Sequence, residues 1–147
     1  MKRIIIYNNS LTYREYHANI ELDTGKVFYK TNTLERLFFK GRPRFYECFF
    51  LVPDKRLNDF IAQSSVIETW QESYGRGHCI DGYYWSIEAI YADNEREIKG
   101  ANGKPEGFDD FIVAIETLLQ KDFGAKDTEW CKEGGKSRMI LMTGELL

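Results

Sequence analysis

The sequence predicts an α+β fold: one domain over residues 1–147, with a mainly antiparallel sheet built from hairpins and two main helices packed on it. Three observations carry this expectation. Segments with strand-like composition outnumber helical ones. Turn residues join several of those segments directly, as hairpins require. Only two stretches repeat apolar residues at intervals of three and four, the spacing of one helical face.

Taken in order, Lys2 to Tyr7 is a β-branched run closed by Asn8-Asn9-Ser10. Tyr16, Ala18, Ile20 and Leu22 alternate with His17, Asn19 and Glu21, the period of a half-buried strand. "DTGK" at 23–26 turns the chain into "VFYKT". Leu34 to Phe39 fits a short helix or an irregular turn. "RFYECFFLV" at 44–52 is apolar on both faces, which predicts a central strand covered on both sides, or covered on one side with a partner on the other.

Pro53 ends that strand, and Asp54 is placed to cap a helix whose stripe is Leu57, Phe60, Ile61, Ser64, Ile67 and Trp70. Ser64-Ser65-Val66 is a weak point in it, and Trp70 and Tyr74 are expected to finish it. A loop at 75–82 leads to "YYWSIEAIYA", where Trp85, Ile87, Ala89 and Tyr91 share a face; Asn94 lies in the following turn. Pro105, Glu106, Asp109 and Asp110 mark a second helix start, with acid at the positive end of the dipole. Phe108, Phe111, Ile112, Ile115, Leu118, Leu119 and Phe123 then form the clearest helical stripe in the chain, with Gly124 as its stop. Residues 125–138 read as a loop and "MILMT" as a last strand.

Composition narrows the function. An apolar fraction of 43% and an aromatic fraction of 15% are those of a chain with a real core. A net charge of -3 gives no electrostatic reason to expect nucleic acid. Ile4 to Ile6 is too short for a signal-peptide core and no segment approaches a membrane span. Cys48, Cys79 and Cys131 are odd in number and widely spaced, which favours reduced thiols and a cytoplasmic protein.

"WQESYGRGHCIDGYYW" at 70–85 concentrates the chemically capable side chains. Cys79 beside His78 and Asp81 is a candidate nucleophile, but neighbours in sequence rarely face one another as catalysis needs. His17, His78, Cys79 and Asp81 lack any metal-ligand spacing, so no metal and no cofactor is expected. Glu47 and Glu88 are candidate acids only if strand burial raises them. "GANGKPEG" and "GRGH" match no phosphate-binding fingerprint. Lys40, Arg42, Arg44, Lys55 and Arg56 read as a solvated rim. Trp70, Tyr74, Tyr83 and Tyr84 suit a protein-binding surface, where such rings dominate hot spots.

One recurring string runs through residues 70–119: Trp70 and Tyr74, Asp81-Gly82 with Trp85 three on, Tyr91-Ala92-Asp93, Gly100, Asn102, Pro105 and Phe108. It resembles a family of small bacterial proteins, mostly from Firmicutes, that has no assigned activity. Asn94 here replaces that pattern's turn Gly. The resemblance therefore implies no catalytic residue.

The reading that follows is a non-catalytic protein-interaction or self-association module with neither nucleic acid nor membrane as partner. Its candidate binding residues are Tyr74, His78, Cys79, Asp81, Tyr83 and Tyr84. The alternative is an enzyme or small-ligand binder with a pocket near the 75–85 loop.

Overall fold

The computed structural model describes residues 1–9, 14–32, 45–75 and 83–125. Seven strands, β1 (Arg3–Asn9), β2 (Glu15–Glu21), β3 (Lys26–Asn32), β4 (Phe45–Leu51), β5 (Ser73–Gly75), β6 (Tyr84–Ile90) and β7 (Glu95–Ala101), form one sheet. Their spatial order is β4-β3-β2-β1-β6-β7-β5. All pairings are antiparallel except β5 on β7. The expected α+β class is the observed one, with helices α1 (Asp54–Ser64) and α2 (Phe108–Leu119).

The alternation read from the sequence sets the two faces of the sheet. In β1 and β2 every second residue is buried, which puts Ile4, Ile6, Tyr16, Ala18 and Ile20 on one side. Val27, Tyr29, Trp85, Ile87, Ala89 and Ile98 extend that apolar layer across the neighbouring strands. Onto it α1 lays Leu57 and Phe60, and α2 lays Phe108, Phe111, Ile112, Ile115, Leu118 and Leu119. The helices meet each other at Phe60 and Phe111, ring centroids 6.0 Å apart. Fully burying each such side chain stabilises the fold by about 1.5–3 kcal/mol.

Some local expectations change, while the weak point at Ser64-Ser65-Val66 is where the first helix ends. Asp54 is the first helical residue rather than the cap; Pro53 holds the N-cap position in extended conformation, with no side-chain cap hydrogen bond. The first helix ends at Ser64 and tightens into a 3-10 turn, Ser65–Thr69, where the weak helix formers stand. Ser64, Ser65 and Thr69 each donate a hydroxyl to a carbonyl three residues back. Tyr74 does not finish the helix: it lies in β5, a three-residue parallel edge strand.

The second helix stops earlier than its apolar stripe. Gln120 takes the left-handed conformation that ends it, four residues before Gly124. Among the described strands β4 lies at the edge of the sheet, where the sequence predicts a central position. Its core-side residues Cys48 and Phe50 pack against the core while Phe49 and Leu51 are 79% and 66% exposed. The segments 34–39 and 126–138 and the expected strand "MILMT" lie outside the described residues.

Candidate functional site

The described part of the predicted cluster is divided by the sheet. Tyr83 is buried, its ring edge-on to Phe108 at 6.2 Å, and its N–H donates to Asn102 Oδ1 at 2.8 Å. Tyr74 pairs with Gly100, and its ring lies 6.0 Å from Trp85 on the helix-covered side. Its hydroxyl accepts the Gln71 N–H at 2.7 Å. Tyr84 alternates with buried Trp85 and so faces the opposite way, half-buried. His78, Cys79 and Asp81 lie outside the described residues.

The side of the sheet away from the helices is where Tyr84 points. Strand register brings Tyr7 beside both His17 and Ser86, and His17 beside Lys30. The His17 ring meets Phe28 edge-on at 5.8 Å, and Phe28 meets Phe49 at 4.7 Å. A band of rings thus crosses this face from Tyr84 and Tyr7 through His17 and Phe28 to Phe49 at the β4 edge. No helix among the described residues covers it.

Among the described residues, three hollows can be traced along this face. The largest, about 520 Å³, lies at the β3–β4 end against Phe28, Phe49 and Leu51. Arg3 and Glu21, ion-paired at 3.1 Å, and Lys26 edge it. A second of about 200 Å³ is lined by Tyr7, Glu15, His17 and Lys30. A third of about 310 Å³ joins it at Tyr7 and is bordered by Tyr84, Ser86 and Lys99. The β5 backbone at Ser73, Tyr74 and Gly75 forms part of its wall.

Tyr7 and His17 on this face both favour their neutral forms. Burial raises the Tyr7 phenol to about 12, and the Glu15 carboxylate adds to that by its charge and its hydrogen bond. Tyr7 is therefore a hydrogen-bond donor at neutral pH. His17 is pushed down from its ordinary value by burial first and by the Lys30 charge second, which leaves it neutral at pH 7. Its Nδ1 and the Asn19 Oδ1 are buried without a hydrogen-bond partner.

The other sequence candidates take structural or surface positions. Glu88 is exposed, and the Glu47 side chain is half exposed beside Lys30 at 3.6 Å. Neither has the burial that acid catalysis by a raised carboxyl needs. Cys48 is a free, partly buried thiol against the core. "GANGKPEG" serves packing: the Trp85 indole N–H donates to Gly103 O at 2.8 Å, and Lys104 pairs with Asp109 at 2.7 Å. The described members of the recurring string have folding roles. Trp70 donates its indole N–H to Glu106 O at 3.2 Å, and Tyr91 donates its hydroxyl to the Glu68 carboxylate.

Among the described residues no three His, Cys, Asp or Glu side chains group as metal ligands. No helix among them is long and apolar enough to cross a membrane. No protein-family model matches the chain, and no curated protein matches it either.

The sequence reading missed the ring band because its members come from five strands and no linear motif joins them. The signal available was the polar-parity position of Phe28 and Phe49: large apolar residues stand where the alternation calls for solvent-facing ones.

Proposed function

We propose that this chain is a non-catalytic self-association module, and that a second copy adds to the sheet along β4. The observation that carries this reading is the edge that β4 forms among the described strands. Natural edge strands are blunted by Lys, Pro, bulges or cover. In its seven residues β4 has Glu47 as its sole charge and contains neither Pro nor Gly. It exposes Phe49 and Leu51 on one side and half of Tyr46 on the other.

Antiparallel pairing of β4 with its copy is isologous, so the same patch meets itself. The surroundings suit that. Arg3–Glu21 and Lys30–Glu47 each set opposite charges side by side near this edge. Phe28, Phe49 and Leu51 of both copies then form one apolar strip. The free Cys48 thiol fits a reducing cytoplasm, and the string from Trp70 to Phe108 supports membership of the bacterial family it resembles.

Sedimentation equilibrium tests the reading. The wild type is expected to be a dimer, and Phe49→Lys with Leu51→Lys a folded monomer. A wild type that is monomeric into the millimolar range overturns the proposal. A folded double variant that stays dimeric overturns the choice of edge.

A second reading rests on the joined hollows around Tyr7, where Tyr84, Ser86 and Lys99 offer rings, a hydroxyl and an ammonium to a small ligand. A fragment screen followed by amide shifts at Tyr84, Ser86 and Lys99 tests it; unshifted amides there remove it.

A further inference from the structure

Beyond the C-terminal end of α2, two carboxyl groups and one guanidinium are enclosed together. Glu116 lies in the last turn of α2, and Asp122 in the turn that follows. Glu116 Oε2 accepts the Phe123 N–H at 2.7 Å and the Ala125 N–H at 3.1 Å. Glu116 and Asp122 cap amides of the same turn from neighbouring positions, close enough to influence each other. Asp122 Oδ1 accepts the Gly124 N–H at 3.0 Å, and its Oδ2 accepts the Tyr16 hydroxyl at 2.9 Å. Arg14, 2% exposed, pairs with the same Oδ2 at 3.4 Å and lies over the Tyr16 ring.

The strand ends hold this turn through its backbone as well. Tyr29 donates its hydroxyl to Asp122 O at 2.6 Å, and Asn8 donates its amide to Phe123 O at 2.9 Å. Residues 120–125 are thus fixed to β1, β2 and β3 by a cluster centred on the two carboxyls.

We propose that Glu116 and Asp122 hold one proton between them, and that its loss releases residues 120–125 from the strand ends, making this corner a pH-operated latch. A carboxyl–carboxyl hydrogen bond requires that proton. With it, one carboxylate faces one guanidinium and the charges cancel. Without it, two neighbouring carboxylates face a single guanidinium in a partly dehydrated site.

Among the described residues, the groups facing the pair come from β1 to β4 and from the residue before β2. β1 supplies Asn8, which is neutral; Arg14 precedes β2, and β2 supplies Tyr16. β3 supplies Tyr29, with Cys48 of β4 beside it. Lys121 turns away, its ammonium over the rings of Tyr29, Tyr46 and Phe50. Among the described residues Arg14 Nε and Nη1 find no hydrogen-bond partner, and Arg14 pairs with Asp122 alone of the two carboxylates.

The acidities agree with the geometry. Burial, then the bond to Asp122, raises Glu116 to about 7. Burial alone would raise Asp122 too, but the bonds from Glu116 and Gly124, the Arg14 charge and the Tyr16 hydroxyl outweigh it and hold Asp122 down. A raised carboxyl stabilises the closed state fully below its unfolded value of 4.5, and that stabilisation is lost as pH rises to about 7.

Two measurements on the full chain test the latch. The Glu116 carboxyl carbon resonance is expected to titrate near 7, and an ordinary midpoint below 5 overturns the proposal. Amide exchange at Phe123 and Ala125, corrected for its intrinsic pH dependence, is expected to show opening that grows by roughly tens of fold from pH 5 to 7 and then levels off. Glu116→Gln keeps a donor for Asp122 and an acceptor for both amides, and so should abolish that growth. Flat opening in the wild type, or equal growth in Glu116→Gln, overturns the proposal.

Discussion

Gly100 lies directly against the Trp85 indole: a β-carbon at position 100 would stand 2.3 Å from Nε1 and 2.5 Å from Gly103 O. The same Nε1 donates to that same carbonyl oxygen. Any side chain at 100 therefore wedges apart a donor and its acceptor in the core. Gly100→Ala is expected to cost about 3 kcal/mol, measured by urea unfolding followed through tryptophan fluorescence. A loss below about 0.5 kcal/mol would show that the indole moves aside freely.

Asn102 answers two demands at once. Its φ is 57°, and its side-chain oxygen accepts the Tyr83 N–H while its own N–H returns a bond to Tyr83 O at 2.8 Å. Asn102→Gly keeps the backbone conformation and loses one hydrogen bond, at about 1 kcal/mol. Asn102→Ala loses the bond and adds about 1–2 kcal/mol of left-handed strain. Thermal unfolding should rank wild type above Gly and Gly above Ala; Ala ranking above Gly refutes the role of φ.

Arg96 fastens the 3-10 turn to the sheet. Its guanidinium donates to Ile67 O at 2.9 Å and to Trp70 O, two carbonyls at the end of that turn. Arg96→Met keeps the stem and leaves both without this donor, an expected cost of about 1–3 kcal/mol. Arg96→Lys should recover only part, since one ammonium cannot copy the fork. Full recovery by Lys in chemical denaturation would count against a two-pronged bond.

Alkaline stability should follow the tyrosines. Tyr7 is raised to about 12, and Tyr29 is raised by burial first and then by the Asp122 charge. A raised phenol means the fold favours the protonated form. That stabilisation is complete below the ordinary value of 10 and lost as pH rises toward 12. Unfolding free energies across this interval should fall less steeply for Tyr7→Phe than for the wild type. Equal slopes would mean that Tyr7 ionises alike in both states.

Where one strand face is wet and the other dry, the sequence displays it. His17 and Asn19 between Tyr16, Ala18 and Ile20 show which side of β2 is buried, and the stripe from Phe108 to Leu119 shows the same for α2. β4 is different. With apolar residues on both faces, its alternation carries no contrast, and an edge strand with exposed rings looks like a central one. Tyr74 was misplaced because three residues of β5 are too few for any period. The Glu116–Asp122 pair left one trace: Asn8 occupies the buried parity of Ile4 and Ile6. A polar residue there calls for a partner from elsewhere in the chain, but a single sequence cannot say which.

The position of β1 has a consequence for how the chain folds. β1, the earliest of the described strands, is an inner one, flanked by β2, which follows at once, and by β6, whose residues 84–90 emerge much later. Pairing Ile6 with Ile87 closes most of the chain into one loop, a slow entropic step compared with zipping the adjacent hairpins. During synthesis, the meander from β1 to β4 therefore has to wait with one flank of β1 unpaired. Folding should then be limited by the arrival and docking of β6, and substitutions at Ile87 should slow refolding more than equally destabilising ones at Val27.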